Sequence, residues 1–141
     1  MSDTILVAVN DSPAAFDAVT VAIEQARRLD ARLHAVMVIE EGSVERRLLG
    51  SQAVTLRREL AADAVLAHVA LLATRAGVTV GTHRRSGRIA AEILAEARAV
   101  GAGLIVLARV DRPGHAIPSI GSHTLRVLEF SPVPVLVIPP D

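Results

Sequence analysis

The residues best placed for chemistry fall in two short stretches. One is Gly121-Ser122. It follows a polar loop, Arg109 to Ser119, and opens an amphipathic segment with Leu125, Val127, Leu128 and Phe130 as its apolar positions. The N–H groups of a helix's first turn have no partner within the helix, and the positive end of the dipole lies there. A Gly-Ser pair at such a place can cradle a phosphate, and it reads equally as a plain helix N-cap. The other stretch is Asn10-Asp11-Ser12-Pro13. Asp11 and Asp111 can face each other as an acid/base pair, although Asp11 also suits a turn before a helix. Arg109 and Arg112 can pair with phosphate, with Asp111, or simply with solvent. His115 and His123 stand eight residues apart in a chain without cysteine, fit no ligand spacing, and read as loop histidines. There is no Gly-x-Ser-x-Gly, Walker-type or metalloprotease spacing.

The elements that must position these residues are legible from periodicity. Ile5 to Val9 is an unbroken apolar run, as in a strand buried on both faces. Ser12-Pro13 is a helix start, and Ala15, Val19, Ala22, Ile23 and Ala26 recur at helical spacing after it. Leu33 to Ile39 reads as a second strand, and Glu40 to Ser51 as a polar loop or lid. Leu56, Leu60, Val65, Val69 and Leu72 mark a helix from Gln52 to Arg75. Val78 to His83 reads as a short, more polar strand, and Ser86-Gly87 leads into a helix carrying Ile89, Ile93, Leu94 and Ala97. Leu104 to Leu107 is a strand. Ser131-Pro132 stops the last helix, and Val133 to Ile138 is the final strand. The alternation predicts one α/β domain over residues 1–141, a five-stranded parallel sheet with helices on both faces. A Rossmann-like strand order of 3-2-1-4-5 brings Asn10 to Pro13 and Arg109 to Ser119 to one crevice at the carboxyl edge.

Composition excludes several partners. Fifteen basic and fifteen acidic residues cancel, and aromatics are 1% of the chain, which argues against nucleic acid. No apolar run approaches the roughly 20 residues needed to span a bilayer, and the first apolar run is too short for a signal peptide. The expected location is the cytoplasm. The pairs Arg46-Arg47, Arg57-Arg58 and Arg84-Arg85 read as solvated faces.

With both loops placed, the chain resembles the universal stress protein family over essentially its whole length. The resemblance is carried by ILVAVNDSPAA, HAVMVIEE, SGRIAAEIL and LIVLARVDRPGHAIPSIGSHTLRVLEFSPVPVLVIP. Nucleotide-binding members carry Gly-x2-Gly-x9-Gly-Ser/Thr in the last of these. Here Gly121-Ser122 matches, whereas Ala108 and Asp111 stand where the family has glycine. Asn10 stands where the family has an aspartate that contacts the adenosine part, and Val38 where it offers backbone contacts to adenine. The resemblance therefore implies a nucleotide site of Asn10, Val38, Leu107, Ala108, Asp111, Gly121, Ser122 and His123.

Asp111 is the serious departure, because its carboxylate lies where phosphates would, and two unit charges at about 4 Å repel by roughly 1 to 4 kcal/mol between water and an effective dielectric near 20. A magnesium ion shared by carboxylate and phosphate reverses that sign. The expected function is a stress-response regulatory or binding module with weakened or lost ATP binding. Alternatives are an ATP-binding member, with Mg2+, and an enzyme that hydrolyses or transfers a phosphoryl group, for which no positioned base or metal cage can be read. Val133 to Ile138 is an apolar edge strand in this order, with Pro132 and Pro134 limiting its donors. Family dimers commonly use this strand, so a homodimer through it is expected.

Overall fold

A computed structural model describes residues 4–40, 51–109 and 121–139 of the chain. The strands are β1 (Thr4–Val9), β2 (Arg32–Glu40), β3 (Val80–Gly87), β4 (Leu104–Ala108) and β5 (Val135–Ile138). The helices are α1 (Pro13–Leu29), α2 (Ser51–Arg75), α3 (Ile89–Val100) and α4 (Ser122–Phe130). All strand pairs are parallel and the sheet order is β3-β2-β1-β4-β5. This is the order expected from the sequence.

Side-chain alternation along each strand builds two apolar layers. Ile5, Val7 and Val9 of β1, with Leu33 and Ala35 of β2, pack against α1 and α2. Leu6 of β1, Val36 of β2, and Ile105 and Leu107 of β4 pack with Ile93, Leu94 and Ala97 of α3 and Val127 of α4. Ala15, Ala18, Ala22 and Ala26 give α1 a buried stripe of methyl groups, so its backbone lies close to the sheet. Its start is as the sequence predicts: Ser12 is the N-cap, its Oγ accepts from the Ala15 N–H, and Pro13 follows. At the far end of α4, Ser131 is extended, and its Oγ donates to the Val133 carbonyl at 2.7 Å, turning the chain into β5.

Four expectations are corrected. On α2 the buried set is Val54, Ala62, Leu66, Val69 and Ala73, whereas Leu56 and Leu60 are exposed. Leucine and alanine occur on every face of this helix, so periodicity alone does not select the side that meets the sheet. On α4 only Val127 is buried, and Leu125, Leu128 and Phe130 are exposed, because a nine-residue helix at the sheet margin meets its neighbours along a narrow line. β3 runs to Gly87, so Arg84, Arg85, Ser86 and Gly87 belong to the strand rather than to a solvated face and a helix start. β5 is also shorter than expected, with Val133 and Pro134 outside it. Arg46 and Arg47 lie outside the described residues.

The charges on β3 explain its length. Strand alternation sends Arg84 to one face, where it donates to Asp63 at 2.7 Å and to Glu59 at 3.2 Å on α2. It sends His83 and Arg85 to the other face, where both meet α3. Arg85 Nε donates to Glu92 at 2.9 Å and its Nη1 to Glu96 at 2.7 Å. His83 Nδ1 lies 2.8 Å from Glu96 Oε1, and His34 Nε2 lies 2.5 Å from Glu96 Oε2. Glu96 is the one buried charged residue of the described core. Burial alone pushes its carboxyl up, but the hydrogen bonds from His83, Arg85 and His34 together outweigh that and hold it below its ordinary value.

That direction fixes an acid dependence. A carboxyl depressed in the folded state stabilises the fold above its unfolded value, about 4.3, and this contribution is lost as pH falls through the lower folded value. Denaturant titrations from neutral to strongly acidic pH are expected to show the wild type losing stability below about pH 4.3 more steeply than Glu96→Gln. At neutral pH the variant is expected to be less stable by about 1–3 kcal/mol, the worth of hydrogen bonds to a buried charge.

Candidate functional site

β1 and β4 lie side by side at the centre of the sheet, and the helices that follow them, α1 and α4, go to opposite faces. Chains leaving adjacent strands in opposite directions open a crevice beyond the strands' carboxyl ends. A cavity of about 230 Å3 occupies this place. Seven residues expected at a nucleotide site line it: Asn10, Val38, Leu107, Ala108, Gly121, Ser122 and His123. Asp111 lies outside the described residues, as do Arg112 and His115.

Much of the apolar part of the cavity comes from residues outside the family motif, namely Val36, Ile89, Ile93 and Val127. Val36 and Val38, two apart on β2, form one wall; Ile89 and Ile93, one turn apart on α3, form another; Val127 closes the α4 side. The signal was present as a strand pair at spacing two and a helix pair at spacing four, but such pairs also describe ordinary core. Among the described lining residues, the polar side chains are Asn10, Ser122, His123 and Thr124, and no carboxylate or guanidinium is present. The cavity therefore suits a largely apolar group with a few hydrogen-bonding edges.

Backbone geometry supplies one such edge. The Leu33 N–H donates to Thr79 on the β3 side. Alternate residues of a strand direct their backbone groups to opposite sides, so Val38 directs its own toward β1. The β1–β2 ladder ends at the pair Val9 and Met37. The Val38 carbonyl thus lies beyond the last strand pair, beside the cavity.

Asn10 is held by the start of α1. Its Oδ1 accepts the Ser12 N–H at 2.8 Å. Only an oxygen can accept that bond, so the orientation of the amide is settled, and the Nδ2 end, a donor, is what remains for a ligand. An aspartate here would keep the same bond to Ser12 and offer a second acceptor instead.

The start of α4 differs from a serine N-cap. Gly121 is the N-cap residue, Ser122 is the first helical residue, and no side chain caps this terminus. Gly121 has φ 86 and ψ 149, in a region open essentially to glycine alone. Among the described residues beyond its chain neighbours no atom lies within 4 Å of where a Cβ would stand, so the requirement seen there is one of backbone conformation. Among the described residues no group of histidine and carboxylate side chains has the arrangement of a metal site, and none of their helices is long and apolar enough to cross a membrane.

Gly121→Ala is therefore expected to lower stability by about 1–3 kcal/mol through backbone strain alone. Chemical denaturation measures this, and an unchanged midpoint shows that the turn into α4 relaxes without cost.

Comparison with known proteins agrees with this architecture. The family model described as universal stress protein family matches residues 1–139. No curated protein matches the chain. Among solved structures, a universal stress protein family member from Burkholderia pseudomallei is 27% identical, with a TM-score of 0.78, covering 98% of this chain and 96% of that one. A universal stress protein in complex with cAMP is 24% identical, with a TM-score of 0.75 and 96% of each chain covered. The universal stress protein from Archaeoglobus fulgidus in complex with dAMP is 21% identical, with a TM-score of 0.72 and 96% of each chain covered. Motif, strand order and family model coincide, and the chain belongs to the universal stress protein family.

Proposed function

We propose that the chain is a single-domain regulatory module that binds the nucleoside end of an adenine nucleotide in the β1/β4 cavity and takes ATP weakly or not at all. The observation that carries this reading is the convergence of seven expected residues on one mostly apolar cavity at the point where the strand order reverses. At about 230 Å3 the cavity lies below the ~300 Å3 at which small-molecule sites usually begin. It favours a base and part of a sugar over a whole triphosphate. Relatives in complex with dAMP and with cAMP, both monophosphates, support the nucleotide class.

The polyphosphate end is governed by opposing terms. The α4 N-terminus favours an anion by about 0.3–1 kcal/mol. The Asp111 carboxylate, at the second glycine position of the motif, opposes it by roughly 1 to 4 kcal/mol. Repulsion wins unless Mg2+ is shared between carboxylate and phosphate. Ala108 adds only a methyl group and matters less.

The same reading makes the module a cytoplasmic homodimer. β5 is a terminal strand of the sheet, so one edge of its backbone is unpaired among the described residues. Beside it, α4 exposes Leu125 and Phe130, more than half accessible. An apolar edge strand next to exposed leucine and phenylalanine side chains is the kind of surface a second copy covers symmetrically.

Calorimetric titration with ATP, with and without Mg2+, tests the ligand assignment. Wild type is expected to bind weakly without the metal, and Asp111→Gly to gain about tenfold or more, since 1.4 kcal/mol is tenfold. Tight metal-independent binding to wild type, or no gain in Asp111→Gly, counts against it. Light scattering at high micromolar protein is expected to give about twice the 14.8 kDa chain mass, and a monomer mass independent of concentration rejects the dimer.

A further inference from the structure

We propose that Glu96 is a positioning residue for the cavity: through α3 it sets the wall formed by Ile89 and Ile93, and it does so according to the proton state of His34 and His83.

The geometry ties the buried carboxylate to the cavity on two elements at once. Along α3, Ile93 precedes Glu96 by three residues and Ile89 precedes Glu92 by three, so each glutamate neighbours a wall isoleucine on the helix surface. Along β2, His34, Val36 and Val38 share one face of the strand, so the histidine that holds Glu96 stands next to the opposite wall. The ion pairs with Glu92 and Glu96 are thus the fastening that holds the two walls at their spacing.

The charged groups around Glu96 are His34 from β2, His83 and Arg85 from β3, and Glu92 from α3 itself. Of the other elements on this face, β1 and α4 contribute Leu6 and Val127 to the apolar cluster, and α4 also brings His123 to the cavity that Ile89 and Ile93 line. With both histidines neutral, two carboxylates face one guanidinium and the cluster carries one net negative charge. Neutral His34 must then hold its proton on Nε2, and neutral His83 on Nδ1, to donate to the carboxylate. Each further proton converts a neutral hydrogen bond into an ion pair on the same carboxylate, which strengthens the fastening. His83 is half exposed and gives protons a path to the cluster, while His34 is mostly covered. A niche is kept for His34: a Cβ on Gly81, its partner across the ladder, would lie 2.9 Å from His34 Nδ1.

The measurement spans about pH 5 to 8, the range in which an imidazole can change charge. The test reads the wall directly, by following the Ile89 and Ile93 methyl resonances, the His34 and His83 ring resonances and the α3 amide exchange across that range. Wild type, Glu96→Gln and His83→Gln are compared; the last changes a half-exposed side chain and keeps the fold if the first does not. In wild type the methyl and ring signals are expected to titrate together. We expect α3 opening to be slower at the acid end of this range in wild type than in Glu96→Gln, because an ion pair then replaces a neutral hydrogen bond on the carboxylate. Both effects are expected to vanish in Glu96→Gln and to diminish in His83→Gln. Methyl signals that stay flat in wild type, or that move identically in Glu96→Gln, overturn the proposal.

A second arm rests on the nucleotide reading above and uses adenosine, whose own charge does not change in this range. Its affinity is expected to rise about threefold or more toward the acid end in wild type only, the same linkage seen from the ligand. Measurable but pH-independent adenosine affinity overturns the positioning role even if the methyls move. Absence of adenosine binding at every pH rejects the nucleotide reading, and the methyl titration then decides this proposal alone.

Discussion

Everything in this molecule follows from two neighbouring parallel strands whose chains must leave on opposite faces. β1 passes to α1 on one side and β4 leads toward α4 on the other, so among the described residues no backbone fills the space past their ends. The sheet cannot close this gap without breaking the right-handed crossovers that build it. The gap therefore persists as a cavity, and the residues around it are drawn from six separate elements. Ser12 and Asn10 at the start of α1, and Gly121 at the start of α4, are the punctuation that lets each chain turn away.

Charge is placed with similar economy. The fifteen lysine-or-arginine positions of the sequence are all arginine. A guanidinium offers a planar fork with several donors, so one residue can hold two carboxylates at once. Arg84 and Arg85, adjacent in sequence, use this on opposite faces of β3, one binding α2 and the other α3. Two consecutive charges thereby become two fastenings for the helices that flank the outer part of the sheet. The exposed pairs within α1, between Glu24 and Arg27 or Arg28, contribute little by comparison, because solvent screens them.

The core has almost no aromatic mass. The methyl stripe of α1 meets valine, leucine and isoleucine from the sheet, and one buried polar cluster at Glu96 interrupts the apolar layer on the α3 side. An apolar layer of small branched residues tolerates many near-equivalent packings. A fully hydrogen-bonded buried carboxylate does not, because any other arrangement leaves donors or acceptors unmet. The cluster thus favours one register of α3 on the sheet.

The sequence by itself determined the strand count, the parallel order and the place of the crevice. Those depend on runs such as Ile5 to Val9 and Leu104 to Leu107, on Ser12-Pro13 and on Ser131-Pro132, whose physics is local. It also pointed to Asn10, Val38, Leu107, Ala108, Gly121, Ser122 and His123 through a family motif, and all seven line one cavity. Tertiary structure alone decided the rest. Which face of α2 is buried depends on what it meets, because leucine and alanine surround the whole helix. The walls from Val36, Ile89, Ile93 and Val127 come together only when the crossovers have been made. The partners of Glu96 lie thirteen, eleven and sixty-two residues away along the chain, at separations where periodicity carries no signal. Arg84 and Arg85 look like a solvated pair in a linear reading. The pleat sends them to opposite faces, where carboxylates from two different helices are waiting.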